Sequence, residues 1–145
     1  MPFDISETIV RSAVLDADRE TVWRAISSDD GLSGWLAERA ELDLRPGGDG
    51  VVVLPGGHER RLRVETVSED EALVFTWAPA GDPGSETRVE LRLEDAGDNA
   101  TRITVVESGF EASGPQARGR AAAAAWAWEA VLVALAALVV LVAVV

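Results

Sequence analysis

The chain has 145 residues, enough for one sizeable core and too few for two ordinary domains; 48% are apolar and 26% charged, the balance of a folded globular protein. Its formal charge is −12 and all 13 basic residues are arginines, so the surface repels phosphate backbones and no nucleic acid is expected as a partner. Without cysteine, and with His58 as its one histidine, the chain has no disulfides, thiolate metal sites, cysteine nucleophiles or multi-histidine centres, and no metal or cofactor is expected.

Ile5 to Leu15 read as a first strand, centred on Ile9 and Val10. Asp18 is a fitting N-cap for a short helix from Arg19 to Ser27, where Val22, Trp23 and Ile26 make one apolar face. A second helical turn is expected from Asp30 to Leu36, sending Leu32, Trp35 and Leu36 inward. The period then changes to two. Leu42 and Leu44 alternate with charged neighbours up to the Pro46-Gly47-Gly48 turn, and Val51 to Leu54 is a short apolar strand ending at Pro55-Gly56-Gly57. Leu62, Val64 and Thr66 oppose Arg61, Arg63 and Glu65 in the next strand. Beyond a turn at Ser68 to Glu71, Leu73, Phe75 and Trp77 share a face. A loop from Pro79 to Ser85 leads to Val89, Leu91 and Leu93, and a turn at Asp95 to Asn99 leads to a last strand, Thr101 to Ser108.

Short turns between consecutive strands predict an antiparallel meander. Gln116 to Val145 predicts one long helix, since it is rich in alanine and leucine and has no proline or glycine after Gly119. The expected whole is a single α+β domain over residues 1–145. It has two short helices after strand 1, a curved antiparallel sheet of about six or seven strands, and the long terminal helix packed on that sheet.

Several local stretches, in this order, resemble the AHSA1-like (Hsp90-activator-homologue) branch of the START/Bet v 1-like SRPBCC superfamily. They are Glu20 to Ile26, Trp35-Leu36, Leu44 to Gly48, Leu73 to Trp77, Thr101 to Phe110, and Trp128 followed by Leu132 and Leu135. The resemblance implies a helix-grip fold with an apolar cavity between sheet and last helix, used in the superfamily for lipids, polyketides and other apolar ligands. It also includes co-chaperones and a few cyclases.

A cavity of that kind would be lined by Trp35, Phe75, Trp77, Leu91, Val105, Glu107, Trp128 and Leu132, unless these large apolar residues simply form the core. By alternation Glu107 shares a face with Ile103 and Val105, so it is expected beneath the helix as the cavity's polar anchor. It is the acid/base residue if the protein is a cyclase or hydrolase. A register slip near the strand end would instead turn it to solvent. Arg61 and Arg63 read as solvated residues, His58 as a loop residue, and no serine sits in a nucleophile-elbow frame.

Trp128, Leu132, Leu135, Val139 and Val142 form the inner stripe of the last helix. The opposite side, Ala130, Val133, Ala134, Ala137, Val140, Leu141 and Val144, is apolar as well. From Ala130 to Val145 no side chain is polar, yet that run reaches only about 24 Å against the roughly 30 Å of a bilayer core. The second apolar side therefore points to a homodimer or another protein partner, with membrane association as the alternative. The opening residues lack a basic stretch followed by an apolar core, so a cytoplasmic location is expected. The function expected is non-enzymatic binding of a small apolar ligand, as a carrier or sensor; the alternative is a co-chaperone-like interaction module.

Overall fold

The computed structural model describes residues 8–144, with side chains to residue 141. In chain order the elements are β1 (Ile9–Leu15), α1 (Arg19–Ile26), α2 (Asp29–Leu32), β2 (Arg39–Leu42), β3 (Asp49–Leu54), β4 (His58–Ser68), β5 (Ala72–Pro79), β6 (Thr87–Asp95), β7 (Thr101–Ser108) and α3 (Ala117–Val144). Ile5 to Glu7 of the expected first strand, and the Val142 and Val144 side chains, lie outside the described residues.

The strands form one seven-stranded antiparallel sheet, ordered β1-β7-β6-β5-β4-β3-β2. The meander runs from β2 to β7, and β1 then pairs with the last strand. Its register stacks apolar residues on one face: Leu62 opposite Trp77, Phe75 opposite Val89, Leu91 opposite Val105 and Leu93 opposite Ile103. That face meets α1 and α3 in one continuous core.

Local chemistry sets the element ends. The Asp18 carboxylate accepts from the Thr21 amide at 2.9 Å, and the Ser28 hydroxyl accepts from the Gly31 amide, so each side chain satisfies an otherwise orphaned donor. The Thr21 hydrogen bonds hold the Asp18 carboxyl below the usual aspartate range. α2 is shorter than the expected Asp30–Leu36 turn. After Leu32 the chain turns sharply, Leu36 and Ala37 both donating to the Leu32 carbonyl, while the Trp35 indole donates to Ala25 O at 3.0 Å. Gly34 lets α3 approach this turn closely: a Cβ there would lie 2.9 Å from a terminal methyl of Leu138, which would have to shift.

In β4 the simple alternation fails after Val64. A bulge skips Glu65, so Thr66 faces solvent and Val67 packs against the core instead. A 3₁₀ segment, Phe110–Gln116, precedes α3 and is broken at Gly114, whose φ of 62° and ψ of −128° suit glycine alone. α3 then buries Ala121, Ala125, Trp128, Leu132, Leu135 and Val139 at helical spacing and packs on β1 and α1. Burying a leucine such as Leu135, fully inaccessible to solvent, contributes about 1.5–3 kcal/mol. At the sheet edge Arg11 of β1 pairs with Glu129 of α3 at 3.1 Å.

Candidate functional site

Glu107 lies at the end of β7's inward row and is only 2% exposed. Its Oε1 accepts from the Trp128 indole of α3 at 2.8 Å. Its Oε2 accepts from the Trp77 indole of β5 at 2.9 Å and from the Thr87 hydroxyl of β6 at 2.5 Å. Indole N–H groups can only donate, so an acceptor-only carboxylate is the group that satisfies both at once. Four elements are thereby joined through one buried side chain.

The rings so held make an aromatic wall. Trp77 and Trp128 stack with centroids 6.0 Å apart, Phe75 meets Trp77 edge-on at 5.3 Å, and Trp35 lies 6.5 Å from Trp128. Outside this wall a cleft of about 570 Å³ runs between α3 and the β3–β5 part of the sheet. Its floor includes Trp77, Glu107 and Trp128; Leu36, Leu54, Phe110, Ala124 and Val131 add apolar surface. Exposed residues, among them Pro55, His58, Glu59, Ala123 and Ala127, form its rim.

Two arginines complete the cleft. Arg60 lays its guanidinium over the Trp77 ring, 4.6 Å from the centroid. Burial holds it below its ordinary basic range, the Glu107 charge opposing that shift and Arg120 adding to it. Arg120, in the first turns of α3, donates to the Ser85 carbonyl at 3.2 Å and to the Ser113 hydroxyl. A second, more open hollow of about 700 Å³ lies by β2, β3 and β4, where Asp29, Glu41, Asp43 and Asp49 surround Leu42, Val51 and Leu62, with Arg61 beside them. Among the described residues no cluster of His, Asp or Glu is placed to hold a metal.

Of the residues expected to line a cavity, Trp77, Glu107 and Trp128 do so. Trp35, Phe75, Leu91, Val105 and Leu132 are packed into the core, because their layer lies where α3, α1 and the sheet meet without a gap. Arg61 and Arg63 are exposed, and Arg63 lies 3.6 Å from Asp49. Arg60 and Arg120 did not emerge from the sequence reading, yet a signal for each was present. Arg60 shares strand parity with Leu62 and Val64, and Arg120 precedes Trp128 by two helical turns.

A seven-stranded antiparallel sheet gripped by one long helix, with a cleft between them, defines an α+β helix-grip protein. The family model described as activator of Hsp90 ATPase homolog 1-like protein matches residues 16–140, and the chain belongs to that family. The fold is similar to protein MLL2253 from Mesorhizobium loti, at 22% identity over 90% of this chain and 95% of that one, TM-score 0.79. It is similar also to the Aha1 dimer from Colwellia psychrerythraea (21% identity, 88% and 92% covered, TM-score 0.69). PFC0360w, an HSP90 activator from Plasmodium falciparum, is more distant (14% identity, 70% and 71% covered, TM-score 0.59). At these identities the likeness carries the fold alone. No curated protein matches the chain.

Proposed function

We propose that the protein is a non-enzymatic carrier or sensor that holds a small apolar ligand in the cleft beside Trp77 and Trp128. The observation that carries this reading is the cleft itself: about 570 Å³ between sheet and helix, walled by aromatic rings and alanines. Catalysis by Glu107 is less well supported, because both its oxygens are engaged and the indoles facing it are donors only. Saturable quenching of tryptophan fluorescence by a neutral lipophilic probe, N-phenyl-1-naphthylamine, tests the reading. Ala124→Leu, which fills the cleft from α3, is expected to weaken the probe about tenfold, equivalent to ~1.4 kcal/mol. Unsaturable quenching, or full affinity in that variant, would sink the carrier reading.

A second reading concerns the outer side of α3. Trp126 is 79% and Val133 72% exposed, and Trp126, Ala130, Val133, Ala137 and Val140 recur at spacings of four and three. An uncharged seam with small residues between large ones matches a second copy of itself, so the occupant proposed is another chain of this protein in a cytoplasmic homodimer. A membrane is the competing occupant, since α3 is apolar and long enough to cross one. Against that, its inner stripe covers the core and Trp128 is bonded to Glu107, contacts that a spanning helix would give up. Sedimentation without detergent is expected to give a dimer, converted to a monomer by Val133→Glu. Protein that stays in solution only with detergent would favour the membrane.

A further inference from the structure

We propose that the ligand of the cleft is an apolar organic acid, whose single negative charge is received by Arg60 and Arg120; this rests on the carrier reading above.

Among the described residues, the arginines not fully exposed are Arg11, Arg19, Arg60 and Arg120. The first two are neutralised, by Glu129 at 3.1 Å and Asp95 at 2.9 Å. Arg60 and Arg120 have no carboxylate within ion-pair distance among the described residues, in a chain with 25 acidic residues against 13 basic ones. Half-buried charges left this way are costly unless something meets them. Both line the same cleft.

Their orientation is held by other contacts. Arg60 is flat against Trp77, and Arg120 is tethered to Ser85 and Ser113. Neither tether uses up a guanidinium, which presents five donors in a fork shaped for a carboxylate. Glu107 offsets part of the charge but makes no ion pair with either arginine; its hydrogen bonds go to Trp77, Thr87 and Trp128. Two guanidinium charges against one buried carboxylate leave one positive charge. That balance fits one monoanion. Glu59 sits on the rim, exposed and outside ion-pair distance of both arginines.

The rest of the cleft suits the acid's body. From Arg120 to Val131 the helix advances about 16 Å, its alanines facing the cleft opposite Leu36 and Leu54. A chain or flat ring system laid along it keeps its acid end at the arginines and its apolar end in the hydrophobic part.

The test compares dodecanoate with dodecan-1-ol on the full chain, both read by displacement of N-phenyl-1-naphthylamine. Dodecanoate is expected to bind about tenfold tighter or more, the worth of one charge-assisted hydrogen bond. Arg60→Gln and Arg120→Gln are each expected to remove most of that preference while changing the alcohol's affinity much less. Arg60→Lys, which keeps the charge and is the safer variant for folding, is expected to retain part of it. Equal, saturable binding of acid and alcohol would overturn the acid proposal and leave the carrier reading standing. Binding of neither compound nor the neutral probe would overturn both.

Discussion

In the second half of α3 the inward positions are Leu132, Leu135 and Val139, packed into the core; in the first half they are Ala121, Ala125 and Trp128, and a cleft opens along the neighbouring Ala123, Ala124 and Ala127 with Trp128 in its floor. The backbone is one uninterrupted helix over one sheet throughout. The small alanines beside Trp128 leave room for the cleft, whereas leucine and valine fill the space further along the helix. The polar groups follow the same division. Glu107, Arg60 and Arg120 all sit at the open half, whereas among the described residues the core away from the cleft holds only neutral polar groups that are already bonded, Thr101 to the Ala17 carbonyl and the Trp35 indole to the Ala25 carbonyl.

The contrast can be broken most forcefully at the filled half. Leu135→Ala is expected to cost about 2–5 kcal/mol in urea unfolding, because Leu135 is fully buried and its neighbours cannot collapse into the void. A loss well under ~1 kcal/mol would mean that this half is not close-packed. At the open half, Glu107→Gln is expected to cost about 1–3 kcal/mol, since one face of the amide presents a donor to an indole or hydroxyl donor. Near-ultraviolet circular dichroism should change with it as Trp77 and Trp128 lose their shared acceptor. An unaltered tryptophan spectrum would show that the carboxylate does not hold the wall.

The smallest effect belongs far from both halves, at the α1 cap. Because the folded-state pKa of Asp18 is depressed by its Thr21 hydrogen bonds, its contribution is present above the ordinary aspartate range and lost as pH falls through the lower folded value. Asp18→Ala should therefore lower Tm slightly at neutral pH and by progressively less in acid. A difference from wild type that does not shrink in acid would break this account.

Much of the fold was legible from local chemistry. The Asp18 cap, the Gly-rich turns and the two-residue period of β5, β6 and β7 each carry their own signal, and the inward direction of Glu107 follows from Ile103 and Val105 beside it. The bulge after Val64 was not legible, because nothing in Glu65-Thr66-Val67 distinguishes a skipped residue from a continued alternation. Nor was the difference between core and cleft. Phe75 and Trp77 belong to the same strand face, and only the path of α3 over them makes one core and the other wall. Arg60 has the parity of Leu62 and Val64, but its place over the Trp77 ring depends on the pairing of β4 with β5.

By itself the sequence determined the order and type of the main elements, the inward face of β5, β6 and β7 and the all-round apolar character of α3, since these follow from periodicity, caps and turns that act within a few residues. Only the tertiary structure decided that Trp77, Thr87 and Trp128 converge on Glu107, and that Arg60 and Arg120 meet across one cleft. Those groups come from different strands and from the helix. Their meeting depends on sheet register and on how closely α3 approaches, and no short stretch of chain encodes either.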